Sequence, residues 1–335
     1  EMVTAIQQIE RLLVTLSPES EEVPVVRAEI ATVQGIVDVL VGQPEHALAT
    51  ARGCLKVLPP QALHIRSIAV AALAGGLQMQ RDFEQGVEVI RGALADSAWP
   101  AELHAKMAHI LCAASFLEGD LAGVLRWAGE YLPVAERHEL GESLSFVRYH
   151  LGVAHYLRNE LAQAESYLLA LLEDRAASAT NYVAQGTYAL AFILQSSGRA
   201  STAQPVVDQV SAYLRATGNT LAWEVTESFR VALALRQDRL AEARRLSNSV
   251  EFDVRPPMWF FFVPQLTAIK LLLAEATIDS LSEARAQLDA LDEAMRKINR
   301  NNVRIDVLAL LALVHDALGD EVTALDKLGE ALALA

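Results

Sequence analysis

One regularity constrains this chain more than any other: turn-forming residues recur about every 40 positions with a fixed pattern of small residues around them. The turn positions are Gly42, Arg81, Gly119, Asn159, Gly198, Asp238, Asp279 and Gly319, at successive spacings of 39, 38, 40, 39, 40, 41 and 40. Five residues after each stand Ala47, Gly86, Val124, Ala164, Ala203, Ala243, Ala284 and Ala324. Seven residues before stand Gly35, Ala74, Cys112, Gly152, Ala191, Val231, Leu272 and Ala312, usually preceded by Leu. Two antiparallel helices joined by a short turn approach closely only where side chains are small. A small residue on either side of the turn, twelve apart, puts the two points of closest approach opposite each other. A single hairpin of this kind cannot bury its own apolar face, so hairpins stack into an array.

The rest of the sequence agrees with helices. Ala and Leu, which lose little on entering a helix, dominate a composition that is 52% hydrophobic and 6% aromatic. Pro59, Pro60, Pro100, Pro256 and Pro257 fall between units, and Pro44 falls at a helix start. Pro133 is expected to end or kink its helix, and Pro205 to sit in a first turn. The Leu-small pair followed by a small residue twelve positions on resembles the tetratricopeptide repeat (TPR), with each helix about a turn longer than in the usual 34-residue unit. HEAT repeats share the longer period but lack this spacing. The expected fold is all-α: a right-handed, TPR-like superhelical solenoid of about eight helix-turn-helix repeats, forming one domain over 1–335. Residues 25–335 carry the eight hairpins. Residues 1–17 form a leading amphipathic helix through Val3, Ile6, Ile9, Leu12, Leu13 and Leu16. A leading helix with no partner before it, and a last helix without a polar cap, point to a segment of a longer protein.

Several function classes lose support at once. The net charge of −14 disfavours direct contact with nucleic acid, which needs cations to neutralise phosphates. No apolar run is long enough for a membrane span and no signal peptide is legible. Two cysteines, Cys54 and Cys112, make no disulfide framework, so a reduced, cytoplasmic chain is expected; Cys112 stands at a small-residue position and reads as packing. No G-x-S-x-G or H-E-x-x-H occurs, and the pairs His104/His109 and His150/His155 are spaced by five, which does not align them on one helix face. The chain is therefore expected to be no enzyme and to need no metal or cofactor. His155 and His315 share one repeat position and read as packing residues.

Binding is the function this architecture offers. The concave wall of a TPR array is lined by the first helix of each unit, at the positions 13, 10, 6 and 3 before the turn. Aromatic residues gather there in units three to five. The candidate ligand-binding residues are Lys106, His109, Phe116, Phe146, Tyr149, Tyr156, Gln185, Tyr188, Phe192 and Gln195. Three of the seven tyrosines fall on this stripe, and rings with polar tips suit a small molecule or a peptide. The alternative is that the rings fill a tightly wound array against its own opposite wall. The sixth unit gives Val225, Ser228, Ala232 and Leu235, and the eighth gives Asp306, Ala309, Leu313 and Asp316. The seventh is unassigned because its register is uncertain by one residue. A second aromatic run, Trp259 to Phe262, must meet either a neighbouring unit or a further domain.

The segments RPPMWFFFVPQLTAIKLLLAEATIDSLSEARAQLDALDEA and NRNNVRIDVLALLALVHDALGDEVTALDKLGEALALA resemble the last repeats of the ATP-dependent LuxR-family (MalT-like) transcriptional regulators. The region from about residue 27 onward is similar to their TPR-type sensor region. The resemblance implies an upstream NTPase domain, a downstream helix-turn-helix DNA-binding domain, and an effector received by the array between them. No phosphate-binding G-x-x-x-x-G-K-[ST] loop and no basic recognition helix occur in this sequence. The expected function is effector sensing by a ligand- or protein-binding TPR-like domain; the alternative is a protein-interaction scaffold that senses no small molecule.

Overall fold

The computed structural model describes residues 22–95, 99–174, 178–253 and 261–335. The leading segment 1–17 and the aromatic residues Trp259 and Phe260 lie outside the described residues. Sixteen helices pair into eight hairpins, with no strand among the described residues. The pairs are α1 (Glu22–Leu40) with α2 (Pro44–Val57), α3 (Leu63–Met79) with α4 (Phe83–Leu94), α5 (Ala101–Glu118) with α6 (Leu121–Arg137), and α7 (Gly141–Leu157) with α8 (Leu161–Glu173). They continue as α9 (Thr180–Ser196) with α10 (Ala200–Ala216), α11 (Thr220–Arg236) with α12 (Leu240–Ser247), α13 (Pro264–Glu275) with α14 (Ile278–Lys297), and α15 (Asn301–Ala317) with α16 (Glu321–Leu334). The array is a helical solenoid. It divides into two compact units, Glu1–Ile110 and Leu111–Ala335.

Seven of the eight expected turn residues adopt the left-handed conformation that ends a helix: Gly42, Arg81, Gly119, Asn159, Gly198, Asp238 and Gly319 have φ between 55° and 86°. Asp279 does not. It lies inside α14, and the left-handed residue of that hairpin is Ala276 at φ 54°, three positions earlier. A Thr277–Ser280 capping box starts α14 there, so the side chains of Thr277 and Ser280 satisfy the first amides and fix the boundary ahead of Asp279.

The small residues meet as their spacing requires. A Cβ built on Gly86 would lie 3.2 Å from the Ala74 carbonyl oxygen, and one on Gly152 would lie 3.5 Å from that of Ala164. The Cys112 thiol faces the Val124 carbonyl at 4.0 Å, and its burial pushes the thiol above its ordinary pKa. Each of these pairs joins the position seven before a turn to the one five after it. Ala47, Ala164, Ala203, Ala243 and Ala284 are fully buried.

Pro133 does not end its helix, and Pro205 falls a turn later than expected. Pro133 lies within α6, which continues to Arg137, and Pro205 lies in the second turn of α10. Each sacrifices one helical hydrogen bond, and helix-on-helix packing holds the remainder. His155 and His315 each face a carboxylate at the start of the next helix: Nδ1 to Glu160 at 2.5 Å and to Asp320 at 3.2 Å. The shared repeat position thus carries a hairpin-bracing role.

In the second unit, Glu118 at the end of α5 accepts hydrogen bonds from Asn299 Nδ2 at 2.6 Å and Asn301 Nδ2 at 3.3 Å. These partners stand 181 and 183 residues away. Helices from opposite ends of this unit therefore meet, and its inner wall encloses a narrow space.

Ala164→Leu, Ala203→Leu and Gly152→Ala are each expected to destabilise the chain by about 1 kcal/mol or more, because overpacking a tight helix contact costs that much. At Gly152 the new methyl would sit 2.6 Å from the fully buried Leu168 side chain. Urea midpoints measured for the three variants check the assignment.

Candidate functional site

Most of the aromatic stripe fills itself. Tyr149 is 1% and Tyr188 0% exposed, and Phe116 and Gln185 are also buried. The Tyr188 ring stacks on Phe229 of α11 at 4.4 Å and meets Phe262 edge-on at 5.5 Å. Its hydroxyl lies 2.6 Å from Thr226 Oγ1. Tyr149 packs against Tyr182 at 5.0 Å, and Phe146 against Tyr182 at 4.8 Å. The segment before α13 completes the covering. The Phe261 amide donates to the Tyr149 hydroxyl at 3.1 Å, and the Phe262 amide donates to Gln185 Oε1 at 3.3 Å. Burial pushes both phenols above their ordinary pKa. The expectation that Tyr149 and Tyr188 hold a ligand is corrected: Phe229, Phe261 and Phe262 occupy the space a ligand would need. Phe116, Phe146 and Gln185 join them as packing residues, and Gln195 accepts from Gln237 Nε2 at 2.9 Å, linking neighbouring units.

Two stripe residues, Tyr156 and Phe192, remain at the wall of a cavity of about 380 Å³ in the second unit. With Phe261 they form an open aromatic corner, the three ring centroids lying 6.2 to 6.5 Å apart. Leu235, Arg236, Leu266, Thr267, Lys270 and Asp306 complete its working surface. The Arg236 guanidinium lies 4.6 Å from the Phe192 ring centroid, and its charge acts on the nearby Tyr156 hydroxyl. Burial pushes the Lys270 ammonium below and the Asp306 carboxyl above their ordinary pKa values, and each partly offsets the other's shift. By surface area Lys270, Asp306 and Arg236 are all exposed. A concave pocket produces this combination, since water reaches the groups while protein surrounds them.

Sequence reasoning missed Lys270, and the signal was present. Counting back 13, 10 and 6 from Ala276, the true turn of the seventh unit, gives Val263, Leu266 and Lys270. All three line the cavity. Ala232 and Leu235 of the sixth unit and Asp306 of the eighth already stood on the stripe and line it too. Arg236 lies off the stripe and had no such signal.

The remaining candidates, Lys106 and His109, belong to the first unit. Lys106 borders an open, mainly apolar groove of about 950 Å³ between α1, α3 and α5, lined also by Ile30, Val33, Ile65 and Leu103. His109 is half-buried by surface area, but the protein packed around its ring penalises imidazolium and holds its pKa down to about 4. Among the described residues, no cluster of His, Cys, Asp or Glu could hold a metal ion, and no helix is long and apolar enough to cross a membrane.

The family model of the MalT-like TPR region matches residues 28–335. This chain belongs to that family. No curated protein matches it as a relative. Several solved structures share the fold of this MalT-like TPR region at low identity. A Rap protein complexed with Competence and Sporulation Factor aligns with a TM-score of 0.65 at 12% identity, covering 98% of this chain and 90% of that one. A tetratricopeptide repeat protein from Parabacteroides merdae aligns with a TM-score of 0.53 at 13% identity, covering 86% and 98%. A signal transduction ATPase with numerous domains (STAND) from Pyrococcus horikoshii, which has a tetratricopeptide repeat sensor, gives 0.52 at 12% identity. That alignment covers 95% of this chain and 53% of the ATPase.

Two outcomes follow from these placements. Phe262→Ala is expected to destabilise the second unit by about 3 kcal/mol or more, the usual cost of emptying a buried phenylalanine site; chemical denaturation measures it. The second concerns pH. An unfolded His109 takes up a proton near pH 6.5, whereas the folded one resists until about pH 4. The unfolded state then binds more protons, so stability falls as pH drops through this window. His109→Gln is expected to flatten the decline of the urea midpoint between pH 6.5 and 5.

Proposed function

We propose that this chain is the effector-sensing module of a LuxR-family, MalT-type transcriptional regulator, and that the cavity of the second unit receives the effector. The observation that carries the reading is the cavity itself. Beside rings that pack against one another, this space collects Arg236, Lys270 and Asp306 with Tyr156, Phe192 and Phe261. Three exposed charged groups converging on one concave wall give a ligand of complementary charge groups to engage. The wall draws on α7, α9, α11, α13 and α15, so an occupant contacts five hairpins together. It would favour one arrangement of the array over others and so bias a neighbouring NTPase domain and a helix-turn-helix domain. The tetratricopeptide sensor in a STAND ATPase is in keeping with such an arrangement. This reading places the protein in the cytoplasm, with no cofactor and no catalysis in this segment.

A second reading, a protein-interaction scaffold, is favoured by the open apolar groove of the first unit. Two substitutions separate them. Ala274 is exposed at the cavity wall, so Ala274→Trp narrows the cavity without disturbing the core. In the full-length regulator this variant is expected to abolish effector-dependent transcription, while Ile30→Glu in the groove leaves it intact. The reverse pattern would establish the scaffold reading.

A further inference from the structure

Resting on the reading of this cavity as the effector site, we infer that its occupant is a small organic anion with a flat apolar body, its carboxylate-type group held by Lys270 and Arg236 and its body lying against Tyr156, Phe192 and Phe261. Charge supplies the first argument. The cavity wall carries two cations and one carboxylate, a positive site on a chain whose net charge is −14. Asp306 neutralises at most one of the two cations. A cationic ligand would meet both Lys270 and Arg236, and a neutral one would gain nothing from the surplus positive charge. Arg236 is also preoriented: its guanidinium lies over the Phe192 ring at 4.6 Å, so less side-chain freedom is lost on binding.

Ring spacing gives the second argument. Rings of the filled core lie close, as with Tyr188 and Phe229 at 4.4 Å, Phe192 and Phe229 at 4.9 Å, and Phe229 and Phe262 at 5.1 Å. The three at the cavity lie 6.2 to 6.5 Å apart, and Tyr156 and Phe261 keep part of their surface exposed. Such surfaces favour a flat apolar group over a hydrated chain. Size is the third. A cavity of about 380 Å³ is at the small end of ligand sites and suits a one- or two-ring molecule, not a folded peptide or long oligomer.

Three isosteric probes test this on the 335-residue chain: 2-naphthoate, its neutral amide 2-naphthamide, and the cation 2-naphthylmethylammonium, each titrated calorimetrically. Naphthoate is expected to bind about tenfold or more tightly than the amide, as a charge-assisted contact implies, and the ammonium more weakly still. Lys270→Gln and Arg236→Gln are expected to bring naphthoate down to the amide's affinity and leave the amide unchanged. Ala274→Trp is expected to abolish binding of all three, with an unaltered circular dichroism spectrum showing that the fold is kept. If the amide or the ammonium binds as tightly as naphthoate, and Ala274→Trp still blocks it, the anion class is overturned and the site stands. If binding survives Ala274→Trp, the site reading fails with it. If none of the three binds, the flat anion is overturned as the occupant, while the loss of transcriptional response in Ala274→Trp continues to judge the site by itself.

Discussion

The close approach of two helices within each hairpin is the contact on which everything else rests. Gly86 against Ala74, Gly152 against Ala164, and Cys112 against Val124 bring the paired helices together, and a methyl added at Gly86 or Gly152 would press on the Ala74 carbonyl or the Leu168 side chain. Interiors are packed as densely as organic crystals, so the small pair fixes the relative position of the helices as firmly as a larger contact would. Repetition then does the rest. A hairpin with a fixed internal geometry has an apolar face on either side, and only another hairpin covers it.

From that stacking follows an inner wall made of first helices, and what happens at the wall is decided by curvature. Within the second unit the turn after α5 reaches the turn before α15 through Glu118, Asn299 and Asn301. A wall that curves so far brings its own side chains together, and large rings there need partners. Phe261 and Phe262 supply them, donating their backbone amides to Tyr149 and Gln185, while the Phe262 ring covers Tyr188 and Phe229 and the Phe261 ring meets Tyr156 and Phe192. The buried Tyr149 hydroxyl and Gln185 amide oxygen are thereby satisfied, which an apolar plug alone would not achieve. The cavity is the part of the wall that this filling leaves open, and its charged residues come from α11, α13 and α15, whose first-helix positions carry Arg236, Lys270 and Asp306.

How much of this could be read in advance differs from element to element. Seven turns were legible because a left-handed residue and a small-residue spacing reinforced each other. The seventh unit escaped because Ala276 is an unusual choice for positive φ, where Gly, Asn or Asp ordinarily stands, while Asp279 looked the part and sits within a helix. That three-residue displacement hid Val263, Leu266 and Lys270 from the stripe. Tyr149 and Tyr188 were placed on the correct helix face, yet the face alone does not say whether water or Phe262 lies across from it.

What the sequence by itself determined is therefore local and periodic: helix, turn, close-approach point and concave face all follow from interactions within about forty residues, and repetition makes each visible several times over. What only the tertiary structure decided is non-local. Whether a ring on the concave face is a ligand contact or a core residue depends on partners as far off as the 112 residues between Tyr149 and Phe261. Those distances are set by the sum of small rotations from hairpin to hairpin. No single repeat encodes that sum, so the meeting of Tyr156, Phe192, Arg236, Lys270 and Asp306 around one cavity exists only once the whole second unit has stacked.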